Sequence, residues 1–434
     1  MSGGRSGLLR QYDFRLLWCG ETVSRFGSSI SAVAMPLVAV VTLQAGTMWV
    51  SVLTAAAWVP WLLFGLSAGA WVDRVRRRPL MIACNLGSLL LLASVPVAAW
   101  LDILTMAHLL AVALLTGCAS VLFSIAYRVY LPSVVAREDL PEANAKLQGS
   151  ESVAQLGGQG VGGLLAQTLG AVTGLLADGV TFLVSTLCLI AIPGREPPPG
   201  KPAVPARLRK DIREGLRYTV RDPYLRLLTA YGAVTNLLLT GCHALLTVFL
   251  VRELAVSEGA VGWLLAAGGM GGLLGALVAT PTARRFGTAR GMLLCKLLTA
   301  PLGLLIPMAA EGWRVALVAL GCAGLSVGVV CGSVIQGAFR QAYCPPELLG
   351  RITASHSVAN YGAVPIGALL SGVLGTAIGL RPTLWLLTAG LAVSSLLLAV
   401  KPLGGRRDLP TAPPTRTSGG AERTAVSAAA DRDM

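Results

Sequence analysis

The sequence predicts an all-α membrane protein with twelve transmembrane helices, arranged as two pseudo-symmetric six-helix halves. Of its 434 residues, 54% are hydrophobic and 13% are charged, whereas about 25% of residues are charged in a typical soluble domain. Twelve apolar stretches are long enough to cross a bilayer, and basic residues concentrate in alternate loops between them. This scattered placement of the net charge of +14 excludes a nucleic-acid-binding surface, so we expect the lipid bilayer as partner.

The limits of each span follow from the length of helix that a bilayer needs, which is roughly 20 residues for a hydrocarbon core of about 30 Å. Gln44-Ala45-Gly46 is the only break between the first two spans, which indicates a tight turn. The predicted spans are 15–43, 48–72, 79–101, 104–130, 144–171, 175–193, 225–251, 259–282, 289–310, 314–339, 352–378 and 382–400.

The distribution of arginine predicts how the chain is oriented. Loop lysines and arginines favour the cytoplasmic side during insertion. One set of loops carries clusters such as residues 76–78 and 284–285, whereas the opposite loops carry only Arg252, Arg314 and Arg381. We therefore expect a multi-pass protein of the inner (plasma) membrane with both termini in the cytoplasm.

Composition outside the spans divides the chain further. A basic, proline-rich stretch separates six spans from six, and the residues after Lys401 are too polar to order themselves by burial. We predict a cytoplasmic N-terminal segment (1–14), a first half (15–193), a cytoplasmic linker (194–222), a second half (223–400) and a disordered cytoplasmic tail (401–434).

The two halves repeat the same landmarks in the same order. Ala126-Tyr127-Arg128 in the fourth span corresponds to Ala338-Phe339-Arg340 in the tenth, and residues 12–17 correspond to residues 223–228. Such repetition indicates a duplicated six-helix unit. Two parallel halves predict a binding site between them near the bilayer midplane, reached alternately from each side.

The loop between the second and third spans carries a charged motif. Residues 69–80 read GAWVDRVRRRPL, which resembles the motif G-x-L-A-D-R-x-G-R-R-x-L of the major facilitator superfamily. Trp71, Val72 and Arg76 replace the usual leucine, alanine and glycine. The resemblance implies a major facilitator fold with a cytoplasmic conformational latch formed by Gly69, Asp73, Arg74, Arg77 and Arg78.

Further stretches resemble the branch of this superfamily that contains enterobactin-exporter-like and macrolide-efflux-like proteins. LPEANA at residues 140–145 and PPELLGR at 345–351 carry this resemblance, which covers roughly residues 10–400. The exporter motif G-P-x-x-G-G has the form GQGVGG in the fifth span. We predict a helix-packing motif there, without the proline kink, formed by Gly158, Gln159, Gly162 and Gly163.

Ionisable residues within the spans are candidates for coupling or substrate binding, because charge at membrane depth is costly. Glu21 and Arg25 share one helix face at i,i+4 spacing, and Asp178 and His243 lie in later spans. Alternative roles are a self-neutralising pair for Glu21 and Arg25, an interface position for Asp178, and a helix-to-helix hydrogen bond for His243.

Aromatic and amide residues are candidates for lining a cavity. Tryptophans in early spans offer stacking surfaces for an aromatic substrate, although tryptophans near span ends also anchor helices at the interface. Amides offer hydrogen bonds to a substrate or between helices. The candidates are Trp18, Trp58, Trp61, Asn236, Gln336 and Asn360.

The remaining motifs narrow the function. No G-x-x-x-x-G-K-[ST] loop for ATP occurs, and the nine cysteines lack metal-ligand spacing. We expect no catalytic residue, metal, cofactor or enzyme activity. The sequence favours a monomeric secondary active exporter of a small amphipathic molecule, such as a drug, antibiotic, siderophore or specialised metabolite, with the proton gradient as energy source. An importer, a lipid flippase and a non-transporting membrane sensor remain alternatives.

Overall fold

The computed structural model describes residues 8–64, 71–72, 74–193, 205–399, 403 and 405–410, and all regular secondary structure in this part is helical. The first half contains α1 (Tyr12–Leu37), α2 (Thr47–Phe64), α3 (Arg77–Trp100), α4 (Met106–Val134), α5 (Leu140–Leu169) and α6 (Ala171–Ala191). A linker helix (Pro205–Arg221) precedes the second half. That half contains α7 (Pro223–Arg252), α8 (Glu258–Phe286), α9 (Thr288–Thr299), α10 (Ala316–Tyr343), α11 (Pro346–Ile378) and α12 (Leu380–Leu396).

The predicted fold class is confirmed, although one helix, α5, is less apolar than a typical membrane span. Within the described residues, eleven helical segments are long and apolar enough to span a membrane, and α5 is not among them. Helix α5 extends over 30 residues, but its first half carries Lys146, Gln148 and Glu151. Gln148 and Glu151 line an internal chamber of the bundle, so α5 tolerates polar residues that a lipid-facing helix would not.

The ninth span is broken, where the sequence predicted one continuous helix over 289–310. Helix α9 ends at Thr299 and continues as a 3-10 turn, Ala300–Leu304, followed by the short helix Leu305–Met308. Pro301 lies in the 3-10 turn. Proline has no backbone N–H and its ring crowds the preceding turn, which accounts for the break.

Two helix pairs join the halves: α5 packs against α8, and α2 packs against α11. At the first crossing the glycines approach so closely that a Cβ on Gly163 would lie 2.6 Å from the Cα of Gly262. At the second, a Cβ on Gly372 would lie 2.6 Å from the Cβ of Ser51. Small residues therefore set the spacing between the halves.

The two ends of the bundle differ in how the halves meet. We call the end that carries the exposed Arg74, Arg128 and Arg284 the basic end. At the opposite end, an apolar cluster that includes Val38, Val50, Leu246 and Phe249 draws on both halves. In addition, Arg252 of α7 donates a 2.6 Å hydrogen bond to the carbonyl oxygen of Ala45 in the α1–α2 turn. The halves are thus sealed together at the opposite end.

Two segments outside the spans are more ordered than the sequence suggested. Within the predicted linker 194–222, residues 205–221 form a helix that packs on α11. At the start of the predicted disordered tail, Asp408 accepts a 2.9 Å hydrogen bond from the backbone N–H of Thr288, and Leu409 is buried. This carboxylate caps the first turn of α9, which favours negative charge. Residues 1–7, 194–204 and 411–434 lie outside the described part.

Candidate functional site

A cavity of about 350 Å³ lies inside the first half, between α1, α2, α3, α4 and α6. Its wall contains hydroxyls, charged groups and aromatic rings. Since most side chains in these helices are apolar, the polar residues gathered here mark the inward faces. The polar and aromatic lining includes Glu21, Ser24, Arg25, Ser28, Ser31, Trp58, Trp61, Asn85, Ser88, Thr116, Ser120, Phe123, Ser124, Asp178 and Phe182.

A second chamber of about 490 Å³ adjoins this cavity on the side of the basic end. The two chambers share Glu21, Arg25, Trp58 and Trp61 in their walls. The outer chamber also reaches Tyr361 of α11, so it extends across the interface between the halves. The cavity system is therefore accessible from the basic end and closed by the apolar cluster at the other.

Glu21 and Arg25 form the charged centre of the cavity. The Nε of Arg25 donates to Oε1 of Glu21 at 2.7 Å, and the Nη1 of Arg25 lies 3.3 Å from Oε1 of Glu151 on α5. Glu21 is only 7% exposed, while the Arg25 side chain faces the open space and is 41% exposed. One guanidinium thus links two carboxylates on two different helices.

Asp178 of α6 provides a second buried carboxylate in the wall, and it is 2% exposed. It accepts hydrogen bonds from the hydroxyl of Ser31 on α1 at 2.5 Å and from that of Thr181 at 3.1 Å. Gly27 leaves the space that these groups occupy, because a Cβ there would collide with Thr181. Both of these donors are neutral hydroxyls, so the carboxylate is held without a charged partner among them.

Three aromatic rings from both halves meet at the boundary between the chambers. The Tyr361 ring lies 6.0 Å from that of Trp58, nearly parallel to it, and 5.3 Å from that of Trp61. Stacking of this kind adds about 0.5–1.5 kcal/mol beyond the area buried. The rings offer a flat apolar surface directly beside the charges of Glu21 and Arg25.

Sequence reasoning missed Tyr361, Glu151 and the hydroxyls of α1, although the hydroxyls leave a signal. Ser24, Ser28 and Ser31 follow Glu21 at helical spacing, so one face of α1 carries four polar groups in succession. Glu151 gives only a weak signal in the sequence, because it lies near the start of a span. Tyr361 gives no local signal, because its role depends on contact with α2.

His243 lies away from this cavity. It borders a very small space in the second half with Cys242, Ile306 and Cys322. Among the described residues its ring has no hydrogen-bond partner, so the structure provides neither the helix-to-helix bond nor a connection to Glu21.

The amide candidates are also placed in the second half. The Nδ2 of Asn236 donates to Oδ1 of Asn360 at 2.9 Å, joining α7 to α11. Gln336 is buried and contacts the sulfur of Met292. These residues connect helices, which was the alternative role. Trp18 packs within an apolar cluster of the first half, and its indole N–H is buried without an acceptor in the described part.

The predicted latch is described only in part, because Gly69 and Asp73 lie outside the described residues. Arg74 is exposed. Arg78 donates from Nε to the carbonyl oxygen of Leu189 at 2.8 Å and from Nη2 to that of Ile190 at 2.7 Å. Arg78 thereby satisfies free carbonyls at the C-terminal end of α6, where positive charge is favourable. Arg77 is partly buried nearby.

The glycine motif of α5 contacts two helices. A Cβ on Gly158 would lie 2.6 Å from the carbonyl oxygen of Phe26, and one on Gly162 would lie 3.1 Å from the Cα of Ile30, both on α1. Gly163 faces α8. Gln159 presents its backbone oxygen to Gly262, and its side-chain oxygen is buried with no hydrogen-bond partner among the described residues.

No metal-binding cluster of three or more His, Cys, Asp or Glu side chains is present in the described ranges. The cysteines are free thiols, and those of Cys295 and Cys331 lie 3.2 Å apart between α9 and α10. Lys296 is buried, with its amine 4.3 Å from the centre of the Tyr231 ring. A cation over an aromatic face is a stabilised arrangement.

The family described as "Transmembrane secretion effector", of the major facilitator superfamily, matches residues 6–416. The chain belongs to this family. It is therefore a multi-pass membrane transporter, and the resemblance of its motifs to the superfamily is confirmed.

Curated relatives include drug efflux pumps of mycobacteria. The chain is 29% identical over 386 residues to the multidrug efflux pump Tap of Mycolicibacterium fortuitum, covering 86% of this chain and 91% of the relative. It is 28% identical over 406 residues to Tap of Mycobacterium tuberculosis, covering 89% and 92%.

Solved structures share the fold at low identity. A bacterial homologue of the iron transporter ferroportin in its inward-facing state is 19% identical with a TM-score of 0.70, covering 92% of this chain and 100% of that one. The same homologue in its outward-facing state gives a TM-score of 0.58, with coverage of 89% and 98%. The nucleoside transporter NupG gives 0.70 at 10% identity, covering 89% and 98%.

Proposed function

We propose that this transporter exports a small amphipathic molecule by alternating access and is driven by the proton gradient. The observation that carries the proposal is the cavity system itself. A buried carboxylate–guanidinium cluster and a set of aromatic rings share one chamber, which is open at one end of the bundle and sealed at the other. Charges and apolar rings side by side suit a cargo that has both characters.

Orientation connects this shape with export. The basic end carries the loop arginines, so the positive-inside rule supports a cytoplasmic position for the basic end. The same rule supports a cytoplasmic position for both termini of the chain. In that orientation the cavity is loaded from the cytoplasm. Rocking the halves about the α5–α8 and α2–α11 contacts would open the other end. The efflux activity named for the mycobacterial relatives supports this direction.

Proton coupling is assigned to the carboxylates of the first half. Arg25 lies between Glu21 and Glu151, so a proton on Glu21 would remove the charge that holds the guanidinium on α1. The position of a cationic side chain held by two carboxylates at once can be biased by protonation of one of them. Asp178 is a second carboxylate able to take a proton beside the cargo. Protons entering through the opened opposite end would drive the return step.

The experiment measures accumulation of a panel of fluorescent and radiolabelled amphiphiles in an efflux-deficient bacterium, with and without a protonophore. The wild type is expected to lower accumulation of at least one compound, and the protonophore is expected to abolish the effect. Cells that express Glu21→Gln are expected to accumulate as much compound as cells lacking the protein, although the variant reaches the membrane in the same amount as the wild type. Glu142→Gln is the matched control, because Glu142 is an exposed carboxylate on α5 that pairs with Lys146 outside the cavity.

Three outcomes would overturn the proposal in whole or in part. Higher accumulation with the wild type would assign uptake instead of export. Full export by Glu21→Gln would remove Glu21 from the coupling step, and export that persists with the protonophore would remove the proton gradient as energy source.

A further inference from the structure

The linker helix has two faces of different character. On the inner face, Gly215 and Thr219 are buried against the bundle, and a Cβ on Gly215 would lie 2.5 Å from the carbonyl oxygen of Arg351 on α11. Glu214 at the edge of this face accepts a 2.8 Å hydrogen bond from Nη1 of Arg351. The helix is therefore docked in a defined rotation, and its other face is presented outward.

The outward face combines cations with apolar side chains. Arg213, Arg217 and Arg221 are spaced four residues apart, and so are Leu216 and Val220, which lie three residues from Arg213 and Arg217, so the five share a side of the helix. All five are exposed, with Leu216 at 51% and Val220 at 52%. An interior-facing stripe would contain no arginine, and a purely solvated one would not present leucine and valine to water.

This composition matches the boundary of an anionic bilayer. Basic residues around aliphatic ones are typical of helices that lie in the headgroup region, with the apolar groups in the acyl boundary and the cations on phosphates. Guanidinium binds phosphate oxygens in a bidentate manner. The helix also leads into the spanning helix α7 after Asp222, whose Oδ1 accepts hydrogen bonds from the backbone N–H groups of Tyr224 and Leu225. The outward face is thus held near the membrane surface.

We propose that the outward face of the linker helix binds the headgroups of anionic phospholipids in the leaflet at the basic end. The occupant is a lipid surface because three arginines flank the adjacent Leu216 and Val220, and this pattern complements anionic headgroups above an apolar acyl boundary. This proposal does not rest on the direction of transport or on proton coupling, since its residues do not line the two cavity chambers.

The docked face of the linker helix connects lipid binding to the cavity through α11. Helix α11 meets the linker helix at Arg351 and Ser355, and neighbouring residues of α11, Thr353 and Ser357, border a chamber near the interface of the halves. Holding the linker helix on the bilayer would therefore fix the start of α11. The expected consequence is a transport rate that depends on the fraction of anionic lipid.

The test uses the full-length protein in nanodiscs of phosphatidylcholine alone or with phosphatidylglycerol, and follows amide hydrogen exchange of residues 213–221. Phosphatidylglycerol is expected to slow this exchange about tenfold or more, because each arginine near an anionic surface contributes about a fivefold factor. The triple variant Arg213→Gln, Arg217→Gln, Arg221→Gln is expected to lose the lipid effect. The corresponding triple Arg→Lys variant is expected to keep most of it.

The matched control removes the same charge elsewhere at the basic end, through Arg284→Gln, Arg285→Gln and Arg290→Gln, all of which are exposed. It is expected to retain the slowing over residues 213–221. Equal exchange rates in the two bilayers would overturn the proposal. Equal loss in both glutamine triples would also overturn it, since that result would reflect net charge and not this face. The exchange rate of residues 213–221 is measured without transport.

Discussion

At the scale of single residues, the cavity is organised by one guanidinium between two carboxylates. Arg25 touches Glu21 and Glu151, which lie on α1 and α5. Only the first of these contacts follows from spacing along the sequence, since i,i+4 neighbours share a helix face. Removing one partner from a buried pair is costly because the remaining charge keeps its desolvation penalty.

We predict that Arg25→Gln destabilises the protein by about 1–2 kcal/mol, a value below that of a fully buried pair because Arg25 is partly exposed. Adding Glu21→Gln should recover most of this loss, since no uncompensated carboxylate remains on α1. The free energy is measured by unfolding in mixed micelles. A double variant whose destabilisation equals the sum for Arg25→Gln and Glu21→Gln alone would mean that the pair has no coupling energy.

At the scale of helices, contacts at glycine decide where elements meet. On α5, Gly163 lies against Gly262 of α8, whereas a Cβ added to Gly149 on the same helix would have no neighbouring atom within 4 Å. The sequence shows both as glycines in one span. Which of them a neighbouring helix touches depends on the rotation of α5 in the bundle.

We predict opposite effects of alanine at these two glycines. Gly163→Ala should destabilise by about 1–3 kcal/mol, because the methyl group forces the backbones of α5 and α8 apart. Gly149→Ala should be neutral or stabilise by up to about 1 kcal/mol, since alanine favours helix and meets open space. Melting temperatures in detergent measure both. Equal effects would contradict the crossing described here.

At the scale of the whole molecule, the state observed is sealed at the opposite end and open at the basic end. Apolar packing across the halves supplies most of the seal. Arg252 adds a directional contact to the carbonyl oxygen of Ala45. Breaking that contact leaves the fold of each half intact and bears only on how the halves are arranged.

We predict that Arg252→Ala raises the population open at the opposite end by about fivefold, which corresponds to a hydrogen bond of about 1 kcal/mol. Arg314→Ala is the control, because Arg314 is an exposed arginine at the same end. Distances between spin labels on α1 and α7 at that end report the populations. A distance distribution identical to that of the wild type would show that apolar packing alone holds the seal.

The spans and the division into halves can be predicted from the chain alone, because lipid imposes hydropathy and helix length locally. The motif at residues 69–80 indicated the family. The sequence also indicated Glu21, Arg25 and Asp178 as polar groups inside spans. It predicted neither the helix over residues 205–221 nor the contacts of residues 405–410, which depend on docking on α11 and α9.

Which of these groups meet depends on how the helices pack. Tyr361 reaches Trp58, Glu151 reaches Arg25, Ser31 reaches Asp178, and Asn236 binds Asn360. Arg78, predicted in a latch, satisfies carbonyls of Leu189 and Ile190. Each contact joins residues far apart in the chain, and it depends on how neighbouring helices rotate and approach. Packing at small residues fixes that geometry, whereas hydropathy is nearly indifferent to it.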